Sequence, residues 1–248
     1  MKFFSLNQFM IAKNEFFKDV FVLSPYFGKE KDTIIICNPR DVMIISPVLP
    51  RSSKSLEEHI EYINQNNITK AIVAADDISF LPRCPGLEYL YVIPSIYAEN
   101  FDYSPLYEMK NLKWLQCDTV YGLGLMYEGE KKKVATIDYS RITGIKRLTV
   151  LGPKGNLNVD KADSVKILYL SEFPKADTLT GSFPTQSLEC LNIIQSPIRS
   201  LKGIEDARKL RRLQLDYNRR LADISDLRYL RENLICLEIE ACGRIRDF

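Results

Sequence analysis

The sequence predicts an α/β solenoid. Short units stack so that one strand from each joins a parallel sheet on the concave side, and an α+β cap closes the N-terminal end. Three observations lead there. An apolar triplet spaced i, i+3, i+5 occurs eight times between Ile68 and Ile239. Its copies begin 19, 25, 33, 20, 23, 22 and 24 residues apart. A capped helix between β-prone runs comes before them. One triplet means little in a chain that is 46% apolar, because roughly one window in ten matches by chance. Eight in succession at a near-constant period mark a repeat array, whose units bury one another's apolar faces.

The cap is expected over residues 1–67. Phe9, Phe16, Phe17 and Val20 could line one face of a short helix, as a first unit without a neighbour needs its apolar edge sealed. Two β-prone runs follow, Thr33 to Cys37 and Val42 to Ser46, with Asn38, Pro39, Arg40 and Asp41 as a turn between them. Ser55 and Glu58 form a capping box, in which each side chain satisfies the other's free backbone N–H. Leu56, Ile60 and Ile63 then share a helical face, and Asn66 and Asn67 end the helix. Strand, helix, strand implies a parallel pairing through a crossover.

The repeats are expected over 68–248. The triplets are Ile68/Ala71/Val73, Leu87/Leu90/Val92, Leu112/Leu115/Cys117, Ile145/Leu148/Val150, Val165/Leu168/Leu170, Leu188/Leu191/Ile193, Leu210/Leu213/Leu215 and Leu234/Leu237/Ile239. The clearest copy, Leu210 to Asn218, reads L-x-x-L-x-L-x-x-N. On these residues the chain resembles the leucine-rich repeat superfamily. The resemblance implies a ninth-position Asn or Cys bridging neighbouring turns. Here that position holds Asp76, Ser95, Val120, Pro153, Phe173, Ser196, Asn218 and Cys242, so only the last two fit. Ile198, Leu201 and Ile204 read as a convex segment. The 33-residue step contains an expected hairpin insertion over 120–139, with a charged turn at 128–133.

The triplet residues point inward, so the residues between them point out of the concave sheet. Stacked strands, about 4.8 Å apart, align these into columns. The third-position column is Lys70, Tyr89, Trp114, Arg147, Ile167, Cys190, Arg212 and Cys236. The fifth is Ile72, Tyr91, Gln116, Thr149, Tyr169, Asn192, Gln214 and Glu238, and the seventh ends in Asp216 and Glu240. Tyr, Trp and Arg are enriched in binding hot spots. The expected partner-binding residues are therefore Tyr89, Tyr91, Trp114, Gln116, Arg147, Tyr169, Asn192, Arg212, Gln214 and Glu238.

Other chemistry is not signalled. The net charge of +2 carries no polycationic field for nucleic acid, although 199–220 is locally basic. There is one histidine, His59, and no phosphate-binding loop, dinucleotide fingerprint or nucleophile elbow, so neither catalysis nor a cofactor is expected. The six cysteines form no C-x-x-C, so no metal is expected either. Cys190 and Cys236 share a column two repeats apart, near 10 Å and too far for a disulfide. No apolar run approaches the roughly 20 residues of a membrane span, and polar residues interrupt the first segment. The expected function is a cytoplasmic, non-enzymatic protein-interaction module. Fold-level analogy points to a bacterial immunity or antitoxin-like protein, or to an adaptor. The competing reading is an enzyme or small-ligand binder with a pocket between the cap and the first repeats.

Overall fold

The computed structural model describes residues 33–37, 55–95, 98–120 and 134–245, the first segment as backbone. The aromatic stripe of the expected cap, the run at 42–46 and the residues 121–133 of the expected insertion lie outside the described residues.

Helix α1 spans Leu56–Gln65 and starts as its sequence dictates. Ser55 N–H donates to Glu58 Oε2 at 2.7 Å, and Glu58 N–H donates to Ser55 Oγ at 3.3 Å. This reciprocal pair satisfies two N–H groups that no helix can satisfy internally. Ile60 and Ile63 are buried, whereas Leu56, in the first turn, stays exposed. Asn66 N–H still bonds back to Tyr62, and Asn67 turns left-handed at φ 51°, which ends the helix.

The strands are β1 (Thr33–Cys37), β2 (Lys70–Ala75), β3 (Tyr89–Pro94), β4 (Trp114–Cys117), β5 (Ile137–Asp138), β6 (Arg147–Leu151), β7 (Asn156–Leu157), β8 (Ile167–Ser171), β9 (Cys190–Ile194), β10 (Arg212–Asp216) and β11 (Cys236–Glu240). Nine of them form one sheet in the order β1-β2-β3-β4-β6-β8-β9-β10-β11. Every pairing in it is parallel. β1 and β2 flank α1, so the expected crossover is present. The eight predicted strands follow in sequence order, and their register reproduces the triplets: Leu90 faces Leu115, Leu115 faces Leu148, and so on to Leu213 facing Leu237. This stacking of single strands in triplet register is the leucine-rich-repeat fold.

Inward triplet residues from Ile68 to Leu215 are at most 3% exposed. In the last repeat Leu237 is 41% exposed. The convex side of the core is built from short 3-10 turns, at Leu81–Arg83, Ser104–Glu108, Tyr139–Arg141, Val159–Lys161 and Ser225–Leu230. A second repeated phrase, Asp-x-Ser, organises four convex segments. Asp77, Asp102, Asp138 and Asp223 each accept the N–H of the serine two residues on, at 2.8–3.0 Å. This Asx turn reverses the chain and drops the middle residue (Ile78, Tyr103, Tyr139 or Ile224) into the core. Gly203 marks a close approach between neighbouring units. At φ 105°, a Cβ there would lie 2.5 Å from Thr180 N, so only glycine fits.

Candidate partner-binding face

The register assembles the expected columns. Lys70, Tyr89, Trp114, Arg147, Ile167, Cys190, Arg212 and Cys236 are neighbours in order, as are Ile72, Tyr91, Gln116, Thr149, Tyr169, Asn192, Gln214 and Glu238. Their environments fall into two halves.

In β2–β4 both faces of the sheet are buried. Ile72 is 0%, Tyr91 1%, Ile93 2%, Trp114 2%, Gln116 2% and Asp118 5% exposed. These side chains lie apart from the solenoid core, which holds Ala71, Val73, Leu90, Val92 and Leu115. This corrects the expectation of an accessible hot spot at Tyr91, Trp114 and Gln116: the three are shielded, and only Tyr89 of that group is half-buried. The physical reason is in the strands. KAIVAA and YLYVIP do not alternate, and strands without alternation are buried on both faces.

Polar groups inside this layer carry the cost of burial. The Tyr91 hydroxyl donates to Asp118 Oδ2 at 3.0 Å, and the Tyr103 hydroxyl donates to the Asp118 carbonyl at 2.6 Å. Asp118 Oδ1 and Gln116 Oε1 find no partner. Burial pushes the Asp118 carboxyl from 3.8 up to about 7, although the bonds from Tyr91 and Gln116 pull it down.

From β6 onward three strands alternate, whereas β9 is buried from Cys190 to Ile193. β6 and β8 read half-buried and buried in turn, and β10 follows closely. Arg147, Thr149, Tyr169, Arg212 and Gln214 are half-buried, Asn192 and Asp216 are 5% and 8% exposed, and Glu238 is open to solvent. Arg212 pairs with Glu238 at 2.7 Å across β10 and β11. Gln214 Nε2 donates to Asp216 Oδ2 at 2.8 Å. Three atoms on this face have no hydrogen-bond partner: Arg147 Nη1, Asn192 Oδ1 and Asp216 Oδ1. Burial, with Glu240 and Glu238 adding repulsion, lifts the Asp216 carboxyl to about 6 against the pull of hydrogen bonds from Gln214 and Asn192. Burial also raises the Cys190 thiol to about 11. Cys190 and Cys236 are separated by Arg212 in the register and are free thiols.

The turns leaving this half repeat as well. The residue after each strand, Gly152, Glu172, Gln195, Tyr217 and Ala241, has φ between 53° and 65°. In the first four its N–H donates to the seventh-position carbonyl of the next repeat, at 2.8–2.9 Å. Asn218, wholly buried, then acts as the resemblance implies. Its Nδ2 donates to Ile193 O at 2.8 Å, and its Oδ1 accepts from Ser196 N at 2.9 Å. The Cys242 thiol reaches Leu215 O at 3.4 Å. Ser196 Oγ donates to Phe173 O and so bridges a turn at a position where only Asn or Cys was expected.

Sequence reasoning places Asp118 and Asp216 in the seventh column but not among the binding residues, and it missed the Asp-x-Ser turns. The Asp-x-Ser phrase repeats at 77, 102, 138 and 223 and is visible in the sequence. Two hollows among the described residues lie away from this face. One, about 330 Å³, is lined by Leu81, Pro82, Leu87, Met109 and their neighbours, and the other, about 300 Å³, by Asp160, Asp163, Phe183, Glu205 and theirs. No described helix is long and apolar enough to cross a membrane.

Neither a family model nor a curated protein sequence matches the chain. Among solved structures, twelve chains match. One is the crystal structure of an internalin from Listeria monocytogenes, with a TM-score of 0.47 and 17% identity, covering 74% of this chain and 54% of the internalin. The chain thus spans about half of that protein's length. By the register of its own strands, this chain folds as a leucine-rich-repeat solenoid.

Proposed function

We propose that the chain is a non-enzymatic protein-binding module that holds its partner on the open half of the concave sheet, β6–β11. One observation carries this reading. The open half presents hydrogen-bonding groups that the chain itself leaves unmet, Arg147 Nη1 above all, beside the half-buried Tyr169. An unmet buried donor costs about 1–3 kcal/mol. A partner surface that supplies the acceptor recovers that cost, which is why Arg and Tyr at the centre of a face become anchors. The reading against catalysis rests on where the polar groups lie. They spread along an open sheet instead of converging in a cavity.

The test is affinity capture from the native cell with the wild type, Arg147→Glu, Tyr169→Ala and a convex control, Arg199→Glu. Each variant is first checked for cooperative unfolding. The expected result is a partner that Arg147→Glu and Tyr169→Ala lose and the control keeps. A partner list unchanged by both concave variants contradicts the proposal.

A further inference from the structure

We infer that the concave surface of β9–β11 carries a seat for one cationic side chain of the partner, a lysine ammonium or an arginine guanidinium, formed by Asp216, Asn192 and Glu240. The inference rests on the open concave half being the binding face and names the chemistry it accepts there.

The seat holds more acceptors than its own donors, Gln214 and the Asn192 amide, engage. Asp216 and Asn192 are more than nine-tenths buried, and each has a side-chain Oδ1 with no partner. They stand on adjacent strands, where Asn192 pairs with Gln214 and Asp216 with Glu240. Gln214 engages the other Asp216 oxygen, which orients the carboxylate and leaves Oδ1 as a buried, unmet acceptor. Two unmet acceptors call for a ligand that donates and does not accept, and among side chains cationic at neutral pH those are Lys and Arg.

The charge agrees. Asp216, Glu238 and Glu240 bring three carboxyl groups together on β10 and β11, and Arg212 is engaged by Glu238. Glu240 accepts from the Tyr217 hydroxyl at 3.2 Å. The repulsion and desolvation that raise the Asp216 carboxyl are what an incoming cation relieves. The molecule also supplies a control. Asp160, Asp163, Glu205 and Asp206 ring the second hollow on the convex side. Among the described residues there, no buried acceptor is left unmet. Charge alone would favour that cluster, whereas acceptor geometry favours Asp216.

The experiment is a backbone-amide NMR titration of the full chain with an end-blocked Gly-Arg-Gly peptide, with end-blocked Gly-Glu-Gly as the negative probe. The expected result is saturable shifts at Asn192, Gln214, Asp216 and Glu240 with the arginine peptide alone. Asp216→Asn, nearly isosteric, is expected to weaken that binding about tenfold, the loss of one charge-assisted contact. Glu240→Gln is expected to weaken it less. Shifts that are equally strong at the convex cluster, or binding unchanged in Asp216→Asn, would overturn the seat. If the seat fails while Arg147→Glu still loses the captured partner, the binding face stands and only its cation chemistry is wrong. If Arg147→Glu and Tyr169→Ala keep the partner, the face itself fails.

Discussion

Strands β2–β4 and β6–β10 share one sheet, one register and one inward triplet, yet their concave faces have opposite fates. In the first group Ile72, Tyr91, Ile93 and Trp114 form a second buried layer. In the second, Arg147, Thr149, Tyr169, Arg212 and Gln214 keep part of their surface. The inward residues are equivalent throughout, so the outward ones decide. Where they are apolar or aromatic the sheet is buried on both sides, and where they alternate with polar residues one side remains for solvent or a partner. The same triplet therefore builds a scaffold in one half and a surface in the other.

The largest expected effect separates the halves by stability. Trp114→Ala removes a side chain that is 2% exposed and should destabilise by up to about 5 kcal/mol. Gln214→Ala, at the half-buried equivalent of the neighbouring column, should cost far less. Denaturant midpoints of the two variants measure the contrast, and equal losses would erase the distinction.

The second effect is a pH dependence that comes from the buried layer. Asp118 is raised from 3.8 to about 7, so the folded state holds its proton where the unfolded chain has lost it. Its contribution to stability is complete below about pH 4 and is lost as pH rises to about 7, on the order of 4 kcal/mol. Asp118→Asn removes this slope. Stability of wild type and variant measured across pH 4–8 should diverge over that window, with the wild type losing more. Parallel curves would place Asp118 in contact with water.

Two smaller effects probe the regular turns of the open half. Asn218→Ala leaves Ile193 O and Ser196 N without partners and should cost about 2 kcal/mol. Gly152→Ala meets no atom within 4 Å, so its cost is that of a left-handed L-residue alone, about 1 kcal/mol. Chemical denaturation of both variants should give that order. The reverse order would mean that the turn strain, and not the Asn bridge, holds the repeats together.

Much of the fold was legible because the triplet sets both the strand and its register. Leu213 and Leu215 fix what faces inward, and the two-residue alternation fixes Arg212 and Gln214 as outward. The candidate site was legible only in part. The column positions of Tyr91 and Trp114 were correct, but their accessibility was not, because position in a column says nothing of what lies against it. The signal that separates them was present as the absence of alternation in Ala71 to Ala75 and Tyr89 to Ile93. The left-handed residues after β8–β11 left no such trace. Glu172, Gln195, Tyr217 and Ala241 are not residues that favour positive φ, and in the first three the bond to the next repeat offsets a local preference that a sequence reading would follow. The sequence places Asp216 in the seventh column but not among the expected binding residues, because its unmet oxygen depends on its surroundings in three dimensions.

The division of the concave face can be tested through the only tryptophan in the chain, Trp114. Its native fluorescence should be blue-shifted from that of the denatured protein and resist quenching by iodide. A tryptophan added at the open position, Glu238→Trp, should contribute emission that iodide quenches freely. A wild-type spectrum already at the denatured wavelength and quenched as readily as in the unfolded chain would contradict the buried first half.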